Sequence, residues 1–143
     1  MPIKIKRLSP TAIKPTYGSE KAACFDLYAD SNTTILPHTT SKIGTGWAMQ
    51  SVYDGYVGLI FARSGLATKQ GLRPANCVGV VDEDYTGEII VALHNDSNEL
   101  KQINKGDRIA QMMFVSYQQF HLVEVEELDE TERGSGGFGS TGK

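Results

Sequence analysis

Alternating apolar and polar positions recur along most of the chain. In FDLYA, for example, Phe25, Leu27 and Ala29 fall on one face, and Asp26 and Tyr28 fall on the other. Such alternation predicts half-buried β-strands, since successive side chains of a strand point to opposite faces. The stretches with this period are bounded by turn-forming residues; they read IKIKRL, FDLYA, KIGTGWAM, GYVGLIFA, GEIIVALHN, RIAQMMFVSY and FHLVEVEEL.

One stretch, SGLATKQG, has the character of a helix. Ser64 is expected to cap its start and Gly71 to end it. Many short strands with one short helix predict an all-β protein of mostly antiparallel strands, arranged as a sandwich, jelly roll or distorted β-barrel. We assign residues 1–127 to this single domain and residues 128–143 to a flexible C-terminal tail.

Composition and charge exclude several classes of protein. The chain has 143 residues, a formal charge of −3 and a pI near 5.6, which argues against general nucleic-acid binding. No apolar run is long enough to cross a membrane, and MPIKIKRLSP lacks the apolar core of a signal peptide, so we expect a cytoplasmic protein. Cys24 and Cys77 are therefore expected to be reduced and buried.

Two stretches of the domain carry polar groups that a β-sandwich would not need for folding. Asp26 lies in ACFDLYA, where an ordinary outward-facing strand residue is the alternative to a functional one. In ARSGLA, Arg63 and Ser64 lie where a strand meets the helix, which suits an anion site. The alternative for Ser64 is a helix cap alone.

The stretch NCVGVVDEDYTGEI predicts two strands joined by a tight acidic turn. Asp82, Glu83 and Asp84 repel one another, and turn formation does not require all three. One of them is thus a candidate for activating water or approaching a metal ion. Turns often contain Asp and Gly, so a purely structural turn remains the alternative.

In KGDRIAQMMF, Gln111 interrupts an otherwise apolar run. A polar amide at such a position needs a hydrogen-bonding partner, and a ligand is one candidate. Trp47 is most simply explained as part of the hydrophobic core.

The C-terminal RGSGGFGSTGK superficially matches a phosphate-binding loop. The segment before it is acidic and then glycine-rich, whereas a P-loop follows an apolar strand. A disordered linker is one interpretation. However, Arg133, Phe138, Ser140 and Thr141 supply a guanidinium, an aromatic face and two hydroxyls. With the arginines, Gln111 and the carboxylates of the domain, this set suits a Mg²⁺-bound polyphosphate.

These five stretches, in this order, resemble the five motifs of the trimeric deoxyuridine triphosphate nucleotidohydrolases (dUTPases). The motifs ARSGLA, GVVDEDYTGE, GDRIAQMMF and RGSGGFGSTG match with the spacing of that family, and the five together span residues 22–141. The resemblance implies a jelly-roll fold and a homotrimer whose sites are shared between subunits. The C-terminal tail would close over a neighbouring subunit's site.

The implied reaction is hydrolysis of dUTP to dUMP and pyrophosphate, which limits uracil incorporation into DNA and supplies dUMP for dTMP synthesis. Asp82 matches the catalytic aspartate that activates the attacking water. Mg²⁺ would be held mainly by the substrate phosphates, with Asp26 acting on it indirectly through water. The resemblance also implies a set of phosphate-binding residues: Arg63, Ser64, Gly65, Gln111, Arg133, Ser140 and Thr141. Gly139 of the tail is implied as a further substrate-binding residue.

Selection of the nucleoside is implied to rest on a β-hairpin. Asn76 and residues 79–90, including Gly79, Val80, Val81 and Ile90, would present backbone groups that read the uracil edge. Tyr85 would pack beneath deoxyribose and exclude a 2′-hydroxyl, and Phe138 would stack over uracil. Cys24 departs from the glycine usual in the first motif, and a positive φ there would be strained.

Two other functions remain alternatives. A dCTP deaminase shares the fold but requires a base and a water at the pyrimidine C4, and its acidic hairpin differs. A non-catalytic regulatory or binding protein on the same scaffold is the second. For Arg108 in the fourth motif, we expect a structural salt bridge with a nearby acid rather than substrate contact.

Overall fold

The fold of the chain is seen in a computed structural model that describes residues 2–137. The single short helix among them is α1 (Ser64–Gln70). The strands in chain order are β1 (Ile3–Arg7), β2 (Thr16–Tyr17), β3 (Phe25–Tyr28), β4 (Thr33–Ile35), β5 (Thr40–Ser51), β6 (Tyr56–Phe61), β7 (Leu72–Pro74), β8 (Gly79–Val81), β9 (Glu88–Asn95), β10 (Lys101–Ile103) and β11 (Arg108–Ser116).

The strands form two main sheets and a small third one. A four-stranded sheet has the order β1-β5-β9-β7, a five-stranded sheet has the order β2-β3-β11-β6-β8, and β10 pairs with β4. Every strand pairing in residues 2–137 is antiparallel. The prediction of an all-β, mostly antiparallel fold with one short helix is confirmed.

The core contains inward-facing side chains from both main sheets. Leu27 of β3, Leu93 of β9 and Met112 of β11 are fully buried, as the alternation along each strand predicts. Trp47 belongs to the same cluster, and its indole N–H donates to the carbonyl of Ile13 at 2.8 Å. Burying these apolar side chains supplies the main driving force for folding.

Strand β5 breaks the alternation, because its pairing with β9 shifts register between Gly44 and Ala48. Gly46 within this bulge has φ of 71°. A Cβ at that position would also lie 2.5 Å from the Cβ of Ala12, so both conformation and space require glycine.

The helix ends as predicted but begins differently. Gly71 adopts a left-handed conformation with φ of 67°, and its N–H bonds to the carbonyl of Leu66. The prediction that Ser64 caps the start is wrong: Arg63 occupies the N-cap position without a side-chain capping bond. Ser64 is instead the first residue of the helix.

The predicted strand FHLVEVEEL is not formed. Residues 117–137 contain no helix or strand, and the side chains of Phe120, Leu122 and Leu128 are 75%, 90% and 86% exposed. The sequence has the period of a strand, but a strand also needs a partner for its backbone hydrogen bonds. No described strand of this chain pairs with the segment.

Both cysteines are free, but only Cys24 is partly buried. Burial, followed by the nearby Asp26 charge, raises the pKa of the Cys24 thiol. Cys77 is exposed and has φ of 61°, so the expectation that it is buried is wrong. Cys24 is not among the described non-glycine residues with positive φ, and the substitution of the usual glycine causes no such strain.

None of residues 2–137 belongs to a helix with the length and apolar character needed to cross a membrane.

Candidate active site

A pocket opens where the chain crosses from one main sheet to the other. Strand β8 pairs with β6, whereas β9 pairs with β5 and β7. The prediction that β8 and β9 form a directly paired hairpin is therefore wrong. The two strands separate, because they belong to different sheets, and the pocket between them is lined by Ile60, Asn76, Gly79, Val80, Val81, Asp82, Tyr85, Glu88, Ile89 and Ile90.

Strand β8 is at the edge of its sheet, and β9 is unpaired on one side near the pocket. Among residues 2–137, β8 has only β6 as a neighbour, at residues 79–81. β7 pairs with β9 at residues 93–95, and Ala75 adds a bond to the carbonyl of Ala92. Within the described chain, the β7 ladder thus stops short of Ile89 and Ile90. Backbone donors and acceptors of two strands therefore border the pocket.

The three carboxylates of the acidic turn lie in different surroundings. Asp82 lines the pocket, and its carbonyl accepts from the N–H of Tyr85 at 3.1 Å. Glu83 instead accepts a hydrogen bond from the N–H of Gly55 at 2.6 Å. Asp84 is exposed and is not among the pocket residues. Glu83 thus stabilises the fold, and Asp82 is the carboxylate available to a ligand.

A second cluster of charges surrounds Asp26. Its Oδ1 accepts from Arg63 Nε at 3.0 Å, and its Oδ2 accepts from Arg108 at 3.2 Å. Arg63 also donates to the carbonyl of Arg108 at 3.2 Å. The expected salt bridge between Arg108 and a nearby acid is present, and that acid is Asp26.

Strand pairing explains why Gln111 joins this second cluster. Strand β11 lies between β3 and β6, with Gln111 opposite Asp26 on one side and Phe61 on the other. The Gln111 amide donates to the carbonyl of Ala62 at 2.9 Å. The partner that the sequence required for its N–H is thus a backbone carbonyl, in the segment that leads to Arg63.

The two clusters do not meet within one chain. Val81 pairs with Gly58, whereas Arg63 lies five residues farther along, past the other end of β6. Five extended residues span about 16 Å, so Asp82 and Arg63 lie at opposite ends of this strand. The described chain therefore carries two separate clusters, the pocket beside Asp82 and the charge cluster around Asp26.

The remaining predicted residues follow Arg63 in sequence, lie in the C-terminal segment or fall outside the described chain. Ser64 and Gly65 are exposed at the start of α1. Arg133 is exposed and donates to the carbonyl of Gly136 at 2.9 Å. The predicted tail residues Phe138, Gly139, Ser140 and Thr141 lie outside the described residues.

Ile60 was not predicted from the sequence as a pocket residue. It faces the pocket because β6 pairs with β8, with Ile60 opposite Gly79. A Cβ on Gly79 would lie 3.1 Å from the Cβ of Ile60, so this glycine permits close packing of the pocket wall. An apolar residue in an alternating strand carries no signal of this role.

The fold and the pocket define an antiparallel β protein with a carboxylate beside a groove bordered by backbone. A family model described as dUTPase matches residues 11–142. The deoxyuridine 5′-triphosphate nucleotidohydrolase of Nautilia profundicola is 48% identical over 143 residues, covering 100% of both chains. That of Helicobacter pylori strain P12 is 43% identical, covering 99% of this chain and 97% of its own. The chain belongs to the dUTPase family.

Solved structures agree with this assignment. The G164S mutant of the Staphylococcus bacteriophage 80alpha dUTPase, determined with dUpNHpp, superposes with a TM-score of 0.90. It is 28% identical, and the alignment covers 99% of each chain. A D95N mutant dUTPase from phage phi11 of S. aureus, described with a structural Mg(II) ion, has a TM-score of 0.79. It is 25% identical, with coverage of 89% of this chain and 98% of that one.

Proposed function

We propose that Asp82 carries the hydrolysis of dUTP to dUMP and pyrophosphate by activating a water for in-line attack on the α-phosphorus. The chain is a dUTP diphosphatase by family. The observation that carries the assignment of Asp82 is its position at the pocket between β8 and β9, free of the fold-stabilising bond made by Glu83. Asp82 would take the proton of the water as the new P–O bond forms and pyrophosphate leaves.

Uracil is the base that the two strands bordering the pocket would recognise. Uracil offers an acceptor, a donor and an acceptor along one edge, and backbone N–H and C=O groups of β8 and β9 complement that pattern. Cytosine reverses the pattern at two positions, which leaves buried groups unpaired and costs a factor of roughly 10⁴ in discrimination. Asn76, Gly79, Val80, Val81 and Ile90 are the proposed nucleoside contacts.

Tyr85 would exclude ribonucleotides. It borders the pocket, and its hydroxyl is already bonded to the carbonyl of Glu88 at 2.9 Å. Its ring is therefore held beside the groove, where it would pack beneath deoxyribose and leave no room for a 2′-hydroxyl.

The phosphates would bind at the second cluster and under the tail. Arg63 supplies a planar guanidinium, which suits phosphate oxygens, and Asp26 holds it in place. Further phosphate contacts are proposed for Ser64, Gly65, Gln111, Arg133, Gly139, Ser140 and Thr141, with Phe138 stacking on uracil.

The side chains near Asp26 suit a Mg²⁺ ion that is bound by the substrate phosphates and arrives with them. Residues 2–137 contain no group of three His, Cys, Asp or Glu side chains placed to hold a metal. Both oxygens of Asp26 already accept bonds from arginines, so this carboxylate fits contact with the ion through water. When bound, Mg²⁺ would neutralise charge on the phosphate oxygens.

A homotrimer with shared sites would bring together the pocket beside Asp82 and the charge cluster around Asp26, each as half of one complete site. Asp82 and Arg63 are separated along β6, so one subunit would supply the base pocket and a neighbour the phosphate site. The exposed alternating segment 120–128 supports association, since its apolar side chains and backbone lack a partner strand among the described residues. The tail would then close over a neighbour's site and expel water.

Mixed trimers test the shared site directly. Asp82→Asn and Arg63→Gln subunits, each nearly inactive alone, are co-expressed with different tags and purified together. Purification through both tags leaves only mixed rings, and each mixed ring contains one neighbour pair that combines the two intact residues, so about one third of the sites should regain activity. Absence of restored activity in verified mixed trimers would contradict sharing between subunits.

Pyrophosphate release from dUTP, dCTP, dTTP and UTP with Mg²⁺ tests the substrate. We expect strong turnover of dUTP alone. Ammonia release from dCTP would indicate a deaminase instead, and binding of dUTP without turnover would indicate a non-catalytic protein.

A further inference from the structure

Glu88 connects the pocket to the bulge of β5 by two hydrogen bonds. Its carbonyl accepts from the hydroxyl of Tyr85 at 2.9 Å, and its Oε1 accepts from the N–H of Gly46 at 2.8 Å. One bond is at the pocket, and the other is to β5, the strand that neighbours β9 in the same sheet. The residue that holds the Tyr85 hydroxyl is therefore itself held by the bulge.

The bulge has the shape needed to hold this carboxylate. A Cβ on Gly44 would collide with Oε1 of Glu88, so the side chain occupies the space that glycine leaves. The left-handed Gly46 lies in the same register break and directs its N–H to the carboxylate. A bond between a carboxylate and a backbone N–H is stronger than a neutral one.

At the pocket, Gly87 leaves space for the Tyr85 ring, as Gly44 leaves space for the Glu88 side chain at the bulge. A Cβ there would lie 2.5 Å from the hydroxyl oxygen of Tyr85 and 2.6 Å from Cζ. The phenol is thus folded back against the backbone of its own turn, and only glycine at position 87 permits it. The location of the ring depends on Gly87 for space and on Glu88 for its hydrogen bond.

We propose that Glu88 and Gly87 are positioning residues for Tyr85, and that they set how strongly the enzyme rejects a ribonucleotide. This inference rests on the proposed contact between Tyr85 and the sugar. If the ring moves, the space beside C2′ changes, whereas Asp82 and the base-reading strands keep their places. Discrimination between dUTP and UTP is then lost before catalysis is.

Three substitutions separate the contribution of the Glu88–Gly46 hydrogen bond from that of the space at Gly87. Glu88→Ala removes the bond to Gly46, and Glu88→Gln keeps an oxygen that can accept it. Gly87→Ala displaces the phenol without altering the bulge. The measured quantity is the ratio of kcat/KM for dUTP to that for UTP, because a purely structural defect lowers both values together.

We expect Glu88→Ala and Gly87→Ala each to reduce that ratio roughly tenfold. A change of this size corresponds to the loss of about one good hydrogen bond, or to a displacement of the Tyr85 ring that costs as much. Glu88→Gln should restore most of the wild-type ratio. Amide hydrogen exchange of Gly46 gives an independent readout: protection is expected in the wild type and in Glu88→Gln, with faster exchange in Glu88→Ala.

The outcomes distinguish this inference from the proposed function. A wild-type enzyme that fails to prefer dUTP over UTP overturns the assignment of Tyr85 to the sugar, and the inference with it. A selective wild type whose ratio is unchanged in folded Glu88→Ala and Gly87→Ala overturns the inference alone. If Glu88→Ala does not fold, Tyr85→Phe removes the bond between the phenol hydroxyl and the Glu88 carbonyl, and an unchanged ratio in that variant also overturns the inference.

Discussion

The hydroxyl of Tyr117 donates a hydrogen bond to Oε2 of Glu83 at 3.1 Å, which joins the first residue after the last strand to the acidic turn. The same carboxylate oxygen accepts from the N–H of Gly55, and the N–H of Tyr117 donates to the carbonyl of Gly55 at 2.9 Å. Three segments therefore meet at Glu83. The start of the C-terminal segment is fixed to the turn that carries Asp82.

This contact predicts a loss of stability at alkaline pH. The hydrogen bond to Glu83, then burial and the neighbouring carboxylates, raise the pKa of Tyr117 above its ordinary value of 10.0. A pKa raised in the folded state stabilises the protein below the unfolded pKa, and this contribution is lost as pH rises through the folded pKa. In Tyr117→Phe, the decline in the free energy of unfolding above pH 10 should be smaller than in the wild type. Equal declines in urea titrations across this range would contradict the prediction.

Asp82→Asn should nearly abolish turnover and preserve nucleotide binding. The amide keeps the size of the carboxylate but cannot accept the proton of the attacking water, so we expect kcat to fall by a factor of about 10²–10⁴. Asp84→Asn is the matched control, since Asp84 is an exposed acid of the same turn outside the pocket. Pyrophosphate release and calorimetric titration with a non-hydrolysable analogue measure the two effects. Equal decreases of kcat in both variants would indicate that the charge of the turn matters, and not the particular position of Asp82.

Asp26→Asn should weaken phosphate binding and lower stability. Asp26 is 13% exposed and balances Arg63 and Arg108, so the substitution leaves two cations without their acceptor charge. We expect the free energy of unfolding to fall by roughly 1–2 kcal/mol and the KM for dUTP to rise. Arg108→Gln loses one bond at a half-exposed side chain and should cost less. A larger effect of Arg108→Gln in chemical denaturation would show that Asp26 is not the centre of the cluster.

Removal of the residues after Glu132 should leave a folded protein that hydrolyses dUTP poorly. Residues 117–137 contribute nothing to the buried hydrophobic core, so the thermal midpoint should change little. The deletion removes Arg133 and the four predicted tail contacts, Phe138, Gly139, Ser140 and Thr141. Turnover and sedimentation of the truncated chain measure activity and assembly separately. Unchanged turnover would refute the role of the tail as a lid.

Much of the fold follows from local sequence patterns. Alternation identified the strands of the core, including the buried faces of β3 and β9, because each strand must bury one face. Gly71 ended the helix as predicted, since its left-handed conformation favours glycine. The order of the five motifs also identified the family, which the matching family model and the similar nucleotidohydrolases confirm.

Other predictions failed because they depended on partners distant in sequence. Alternation in FHLVEVEEL predicted a strand, yet no described strand pairs with it. Residues 79–81 and 88–95 are close in sequence and were predicted to pair, but each has its partners in a different sheet. The resulting separation creates the pocket.

The sequence by itself determined which residues alternate, which turn carries the acids and which family the motifs match, because these depend on neighbours along the chain. Only the tertiary structure decided that Glu83 supports Tyr117, that Asp26 holds two arginines, and that Glu88 reaches into a bulge of β5. The physical reason is that hydrogen bonds and ion pairs act over a few ångströms, so their partners are fixed only once sheet pairing has brought distant residues together.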